Sequence, residues 1–255
     1  MTTQKWFEDG NSWLEKGDYS KAIECYDKAI KLDNDYAFAY RNKGLALYDF
    51  GMYEKAIDSY QSYLDLLENT NDANIIVEKC NILYEISLTH FALFRQKADK
   101  SHLENAITFC LKTLAICFEK IYIEKTMGLM RYQKEATEEY LFYVKHLSVL
   151  YQYSGELDKS EELLKISRNL YFRYRDWKQL GITYEEIGNL YTKRGRIEFV
   201  MYYYTRALQI KKRIGNRQGA EITLSNIAAC MKENPGIMIE ENSSMLVKLA
   251  LEEIV

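Results

Sequence analysis

The sequence predicts an all-α protein, an α-solenoid of stacked helical hairpins, and three observations carry that expectation. The stretch Gly17-Asp-Tyr-Ser-Lys-Ala-Ile-Glu-Cys-Tyr-Asp-Lys-Ala-Ile-Lys31 returns in degenerate form as Gly51 to Asp65, at an offset of 34 residues. Gly17 maps onto Gly51, Tyr19 onto Tyr53, Ala22 onto Ala56, Ile23 onto Ile57 and Tyr26 onto Tyr60, and upstream Trp6 and Gly10 map onto Tyr40 and Gly44. A repeat of that length is one supersecondary unit that buries its apolar face only by stacking on its neighbours. Within the unit, apolar residues recur every three or four positions, at Trp6, Gly10 and Trp13 and then at Tyr19, Ile23, Tyr26 and Ile30, which is the signature of two short amphipathic helices. Proline occurs once, at Pro235, and glycine twelve times, a composition suited to nearly continuous helix.

Residues 3–36 and 37–70 are the two 34-residue repeats. Gly17 and Gly51 suit the left-handed residue that ends the first helix of each pair, and Asp18 is a candidate N-cap for the second. The small residues Gly10, Gly44, Ala22 and Ala56 let paired backbones approach, with aromatics filling the space between layers. The phase is then lost. Residues 72–97 read as one longer helix, with Ile75, Ile76, Cys80, Leu83, Ile86, Phe91 and Phe94 apolar, followed by a polar break over Lys97-Ala-Asp-Lys-Ser101. Leu103 to Leu114 reads as the second helix of a third hairpin, with Ala106 in the small position, fifty residues after Ala56, so this repeat carries an insertion. Residues 119–140 either extend a helix or form an exposed insertion, and 71–140 as a whole is an irregular repeat.

A forty-residue period begins next. Val144, Leu147, Ser148 and Tyr151 recur as Tyr184, Ile187, Gly188 and Tyr191, and again as Leu224, Ile227, Ala228 and Met231. Residues 141–234 are therefore lengthened hairpins. Pro235-Gly236 stops the array. Beyond it, Met245, Leu246, Leu249, Ala250 and Ile254 give residues 237–255 the apolar stripe of a helix capping the last layer. The expectation is one solenoid domain over 1–255, of about five hairpins plus that cap.

These residues resemble the tetratricopeptide repeat, TPR, in which an aromatic or Leu, a Gly or Ala, an aromatic, an Ala, an aromatic and an Ala follow one another at set spacing. Here they are Trp6, Gly10, Trp13, Ala22, Tyr26 and Ala29. The second copy supplies Tyr40, Gly44, Leu47, Ala56 and Tyr60 but places Tyr63 where the family prefers Ala, and the family proline is replaced by Asn34 and Glu68. The forty-residue copies are similar to the extended TPR variety of kinesin-light-chain-like adaptors, above all over Arg206 to Ala220, with Val200 departing from the family's Ala. The resemblance implies a right-handed superhelix whose concave groove binds a peptide or protein segment.

Composition excludes several other classes. No window of about twenty apolar residues exists, so no membrane span is expected. The N-terminal Met-Thr-Thr-Gln-Lys-Trp lacks an apolar signal region, and a soluble cytoplasmic protein is the expectation. Cys25, Cys80, Cys110, Cys117 and Cys230 are odd in number, lie in helical patterns and lack Cys-x-x-Cys spacing, so they read as buried reduced thiols. His90, His102 and His146 lack metal-ligand spacing. With no phosphate loop, metalloprotease motif or nucleophile elbow, the chain reads as non-enzymatic, with no cofactor and no metal.

Formal charge is −3, but thirteen Lys and Arg against four acids between Lys165 and Arg217 give that segment +9 and the remainder −12. The segment steers an acidic partner or is a solvated outer face. A nucleic-acid ligand has only this charge in its favour, with no base-stacking motif beside it. On the resemblance, the groove lining includes Asn11, Arg41, Asn42, Tyr48, Phe142, Lys145, Asn189, Lys193 and Asn226. Asn11 and Asn42 match the two Asn positions of the TPR clamp that grips chaperone C-termini, but Phe7 replaces its first Lys, so the clamp is incomplete. Carboxamides suit the N–H and C=O groups of an extended peptide, Arg41, Lys145 and Lys193 suit acidic side chains, and Tyr48 and Phe142 suit apolar ones. Asn11 or Asn226 bridging neighbouring helices is the alternative reading. A scaffold subunit joining an assembly through an outer or edge surface is the alternative function.

Overall fold

A computed structural model gives the backbone over residues 1–68, 73–126 and 130–234 and side chains over 1–68, 75–118 and 137–234. Among the described residues the secondary structure is helical. The helices are α1 (Thr3–Glu15), α2 (Tyr19–Leu32), α3 (Ala37–Asp49), α4 (Tyr53–Leu66), α5 (Ala73–Lys97), α6 (Lys100–Thr126), α7 (Met130–Ser154), α8 (Leu157–Tyr174), α9 (Trp177–Lys193), α10 (Ile197–Arg213) and α11 (Arg217–Glu233). Consecutive helices pack as antiparallel hairpins, α1 on α2, α3 on α4, α5 on α6 and α9 on α10, and within each unit α2 also packs on α3, α4 on α5, α8 on α9 and α10 on α11. This is the all-α solenoid class that the periodicity predicts. The chain divides into two compact units, Met1–Leu150 and Tyr151–Val255.

In the first unit, local chemistry fixes each hairpin. Thr2 and Asp18 cap α1 and α2 by accepting from the backbone N–H of Lys5 and Lys21, which satisfies donors that the first turn leaves orphaned. Gly17 and Gly51 take φ of +75° and +83°, the left-handed conformation that closes each turn at little steric cost. Ala22, Tyr26, Ala56 and Tyr60 are fully buried. A Cβ on Gly10 would lie 2.6 Å from the Tyr26 ring, and one on Gly44 would lie 2.5 Å from the Tyr60 ring. Each glycine is therefore a socket for the aromatic sixteen residues on. Lysine ammonium groups lie over the first tryptophans, Lys28 over Trp6 and Lys21 over Trp13.

The 72–97 segment forms α5 as expected, and the polar break after it is a tight turn through Ala98. The question left open at 119–140 resolves toward helix, because α6 runs to Thr126 and α7 starts at Met130. Residues 127–129 lie outside the described residues. So do the expected stop at Pro235-Gly236 and the expected capping helix over 237–255.

The second unit is centred on Leu164, Ile187, Leu190, Tyr191, Val200, Met201, Tyr203, Tyr204, Leu208 and Ile227. Gly188 repeats the socket, its Cβ position 2.6 Å from the Tyr204 ring. Asp176 and Asn216 cap α9 and α11. At the turn between α8 and α9, Phe172 and Trp177 meet edge to face with centroids 6.0 Å apart.

Candidate binding surfaces

In the first unit, α1 and α3 set two carboxamides against each other. Asn42 Nδ2 donates to Asn11 Oδ1 at 2.8 Å, and the buried Tyr26 hydroxyl donates to the same oxygen at 2.8 Å. Burial pushes the Tyr26 phenol up to about 12, so it stays a proton donor near neutrality. Asn11 Nδ2 and Asn42 Oδ1 are left without a partner among the described residues, one offering hydrogens and the other lone pairs.

The next layer differs in one residue with a large consequence. Fifteen positions before Tyr60 stands Leu45 rather than Asn, and the fully buried Tyr60 hydroxyl has no hydrogen-bond partner among the described residues. Arg41 lies 3.5 Å from Glu78, and its Nε is likewise buried without a partner. Tyr63 donates to Glu78 at 3.4 Å. Burial raises the Glu85 carboxyl above its ordinary range, the Asp49 charge adds to the shift and Arg41 opposes it. Tyr48 is half-buried with its ring 5.5 Å from that of Tyr53. On α7, Phe142 is 55% exposed and its ring meets Tyr84 of α5 at 5.2 Å. Lys145 is half-buried.

In the second unit, Asn189 accepts from the Tyr204 hydroxyl at 2.6 Å, repeating the Asn11–Tyr26 pair at the same fifteen-residue separation. Asn226 donates to Glu185 at 3.3 Å. Glu185 also receives the buried Lys211 ammonium at 2.6 Å and the Thr223 hydroxyl at 2.9 Å. That carboxylate is the centre of a polar network joining α9, α10 and α11, and Asn226 is one of its donors. Lys193 is exposed, with its ammonium 5.4 Å from the centre of the Tyr153 ring.

Of the basic segment, Lys165 and Arg194 pair with Glu161, Arg194 also with Asp158, Arg196 with Glu198 and Lys211 with Glu185. Arg173, Arg175, Lys178, Arg213 and Arg217 are exposed at the α8–α9 and α10–α11 turns, beside exposed Phe172, Trp177 and Ile214.

Sequence reasoning missed three associations. The Asn-to-Tyr separation of fifteen was visible in the sequence in both repeat lengths, and it was the signal for the phenol–amide pair. His90 and His102, which lack ligand spacing, face each other with Nδ1 atoms 3.1 Å apart. Cys80 and Cys117 bring their sulfurs to 3.1 Å. No group of three or more metal-ligating side chains occurs among the described residues, and no described helix is long and apolar enough to cross a membrane.

Repeated hairpins, sockets of glycine under tyrosine and polar residues on the first helices are what known proteins can be compared against. Residues 10–51 match the TPR repeat. Among curated proteins, the TPR repeat-containing protein MJ1428 of Methanocaldococcus jannaschii is 32% identical over 63 residues, 25% of this chain and 11% of that protein. The photosystem I assembly protein Ycf3 of Parasynechococcus marenigrum is 34% identical over 74 residues, 28% of this chain and 42% of that protein. The matched stretch is less than half the length of either relative. Among solved structures, MamA superimposes with a TM-score of 0.60 at 18% identity, covering 84% of this chain and 94% of that one. YrrB, described as a TPR protein with an unusual peptide-binding site, gives 0.55 at 14% identity, covering 86% and 90%. At these identities the likeness is one of fold. The TPR hairpin is typically a protein-interaction scaffold rather than a catalytic one.

Proposed function

We propose that the protein is a non-enzymatic binding module whose TPR first helices hold an extended peptide segment. The observation that carries this reading is the amide pair of α1 and α3. On two amides joined by a hydrogen bond, Asn11 Nδ2 and Asn42 Oδ1 are one donor and one acceptor, each without a partner among the described residues, while their other ends are fixed by Tyr26 and by each other. A preorganised donor beside an acceptor matches the alternating N–H and C=O groups of an extended backbone. On the first unit the Arg41 guanidinium supplies positive charge for acidic side chains and Tyr48 and Phe142 supply apolar contact, and on the second unit the exposed Lys193 supplies positive charge of its own. The peptide-binding site ascribed to YrrB and the extended-repeat spacing of 141–234 support the same reading.

Asn11→Asp tests it, because the substitution keeps the oxygen that receives Tyr26 and Asn42 and removes the open N–H groups. Anisotropy against a library of extended decapeptides, neutral and acidic, should show binding about three- to tenfold weaker, the worth of one or two hydrogen bonds. The melting temperature should hold. Undiminished binding would refute the role of this amide.

A scaffold subunit, the second reading, draws on the exposed Phe172, Trp177 and Ile214 at the basic turns of the second unit. Ycf3, an assembly protein by name, is its parallel among the relatives.

A further inference from the structure

Away from the amide pair, α5 and α6 bring together two thiols that are 37 residues apart in sequence. Cys80 Sγ and Cys117 Sγ lie 3.1 Å from each other, closer than two unbonded sulfurs ordinarily rest. Neither is in a disulfide, and both are buried. A narrow cleft, open in part to solvent and holding about 10 Å³ of free space, room for one water-sized molecule, is lined by the two cysteines together with Ile76, Ile116, Glu139 and Tyr143. Its size limits an oxidant at the pair to one about as small as hydrogen peroxide. The third thiol of this hairpin, Cys110, is turned away, toward the Tyr143 carbonyl at 3.6 Å.

We propose that Cys80 and Cys117 form an oxidisable dithiol site that takes hydrogen peroxide in this cleft and closes into a disulfide joining α5 to α6. One cysteine sulfur attacks a peroxide oxygen, the O–O bond breaks, and the leaving oxygen departs as water carrying the thiol proton. The resulting sulfenic acid is attacked at sulfur by the second thiol. The S–S bond forms, the S–O bond breaks, and the hydroxyl leaves as water with the second proton. Two thiols are oxidised by two electrons and one hydrogen peroxide is reduced, so the step balances. Closure asks the sulfurs to approach by only about 1 Å, to a bond length of about 2.05 Å. Burial makes this a slow site, since the thiolate is the reactive form.

The link would tie α5 to α6 in the half of the hairpin away from its turn at Ala98. Tyr143, which lines the cleft, donates to Asn81 of α5 at 3.1 Å, and its neighbour Phe142 is a residue of the proposed peptide surface. The oxidation therefore acts on a wall that the binding reading uses, but stands without that reading.

The experiment treats the full chain under native conditions with hydrogen peroxide, blocks remaining thiols by alkylation in denaturant, and maps crosslinks by mass spectrometry. The expected result is a Cys80–Cys117 peptide, a fall in alkylatable thiols from five to three, and a melting temperature higher by roughly 5 to 10 °C that dithiothreitol reverses. Cys117→Ser should abolish both crosslink and temperature shift. Because that variant could be unstable, the double variant Cys25→Ser, Cys230→Ser serves as a second arm and must crosslink as the parent does. Five persisting thiols, a link through Cys110, or sulfinic acid without a crosslink would each overturn the proposal.

Discussion

At the scale of single residues, a tyrosine hydroxyl is stabilising or costly according to one amide across the hairpin. Tyr26 and Tyr204 each donate to an asparagine, whereas Tyr60, equally buried, has no partner among the described residues. Removing a satisfied hydroxyl loses about 1 kcal/mol, while removing an unsatisfied one relieves a desolvation cost. Tyr26→Phe and Tyr204→Phe should each lower stability by about 1 kcal/mol, and Tyr60→Phe should leave it unchanged or raise it. Urea midpoints decide the matter, and equal losses in all three variants would refute the account. Two histidines impose a pH limit. Burial lowers His90 to about 4, with the nearby His102 adding to the shift, and burial lowers His146 to about 4. A histidine whose folded value lies below its unfolded value of about 6.5 is held neutral by the fold. Its contribution is fully present above pH 6.5 and is lost as pH falls toward 4. Between pH 7 and pH 5 each should cost about 2 kcal/mol of stability. A denaturation midpoint that stays flat across that range would show that the two imidazoles are not held neutral.

At the scale of elements, the glycine sockets set how closely paired helices approach. Gly44→Ala gains about 1 kcal/mol of helix propensity but places a methyl 2.5 Å from the ring of Tyr60, a side chain with no solvent to retreat into. The expected net loss is about 1 to 3 kcal/mol by denaturant titration, and a stabilised variant would mean that the hairpin relaxes freely. The same sockets explain what the sequence disclosed. Where a hairpin is built by glycine under tyrosine at constant separation, as at Gly10, Gly44 and Gly188, the repeat is legible, because one steric requirement fixes two residue types at one spacing. The α5–α6 hairpin uses other contacts, with Ser87 donating to the Ala106 carbonyl at 2.7 Å and cysteines in the interior. Its helices also run to 25 and 27 residues against 13 and 14 in α1 and α2. Small polar residues satisfied by backbone leave no period to read. On the candidate surface the asparagines themselves were legible, but which of their atoms are occupied was not. That depends on phenol and carboxylate groups arriving from other helices, and Glu185, shared by Lys211, Thr223 and Asn226, is the clearest case.

At the scale of the molecule, charge and chromophores are unevenly placed. Four cations of the +9 segment are matched by carboxylates on the same or adjacent helices, and the exposed cations beyond these are Arg173, Arg175, Lys178, Arg213 and Arg217 at the turns together with Lys193 and Arg206. Polyglutamate binding to the full chain, followed by anisotropy, should weaken severalfold between 50 and 200 mM salt, over which the screening length shortens from about 14 to 7 Å. Salt-independent affinity would make those turns a solvated face and no more. The three tryptophans divide between the compact units, Trp6 and Trp13 in Met1–Leu150 and Trp177 in Tyr151–Val255. Trp177→Phe therefore leaves indole emission from the first unit alone, and Trp6→Phe with Trp13→Phe leaves it from the second. The unfolding of either half can be watched by its own fluorescence, without attaching a dye.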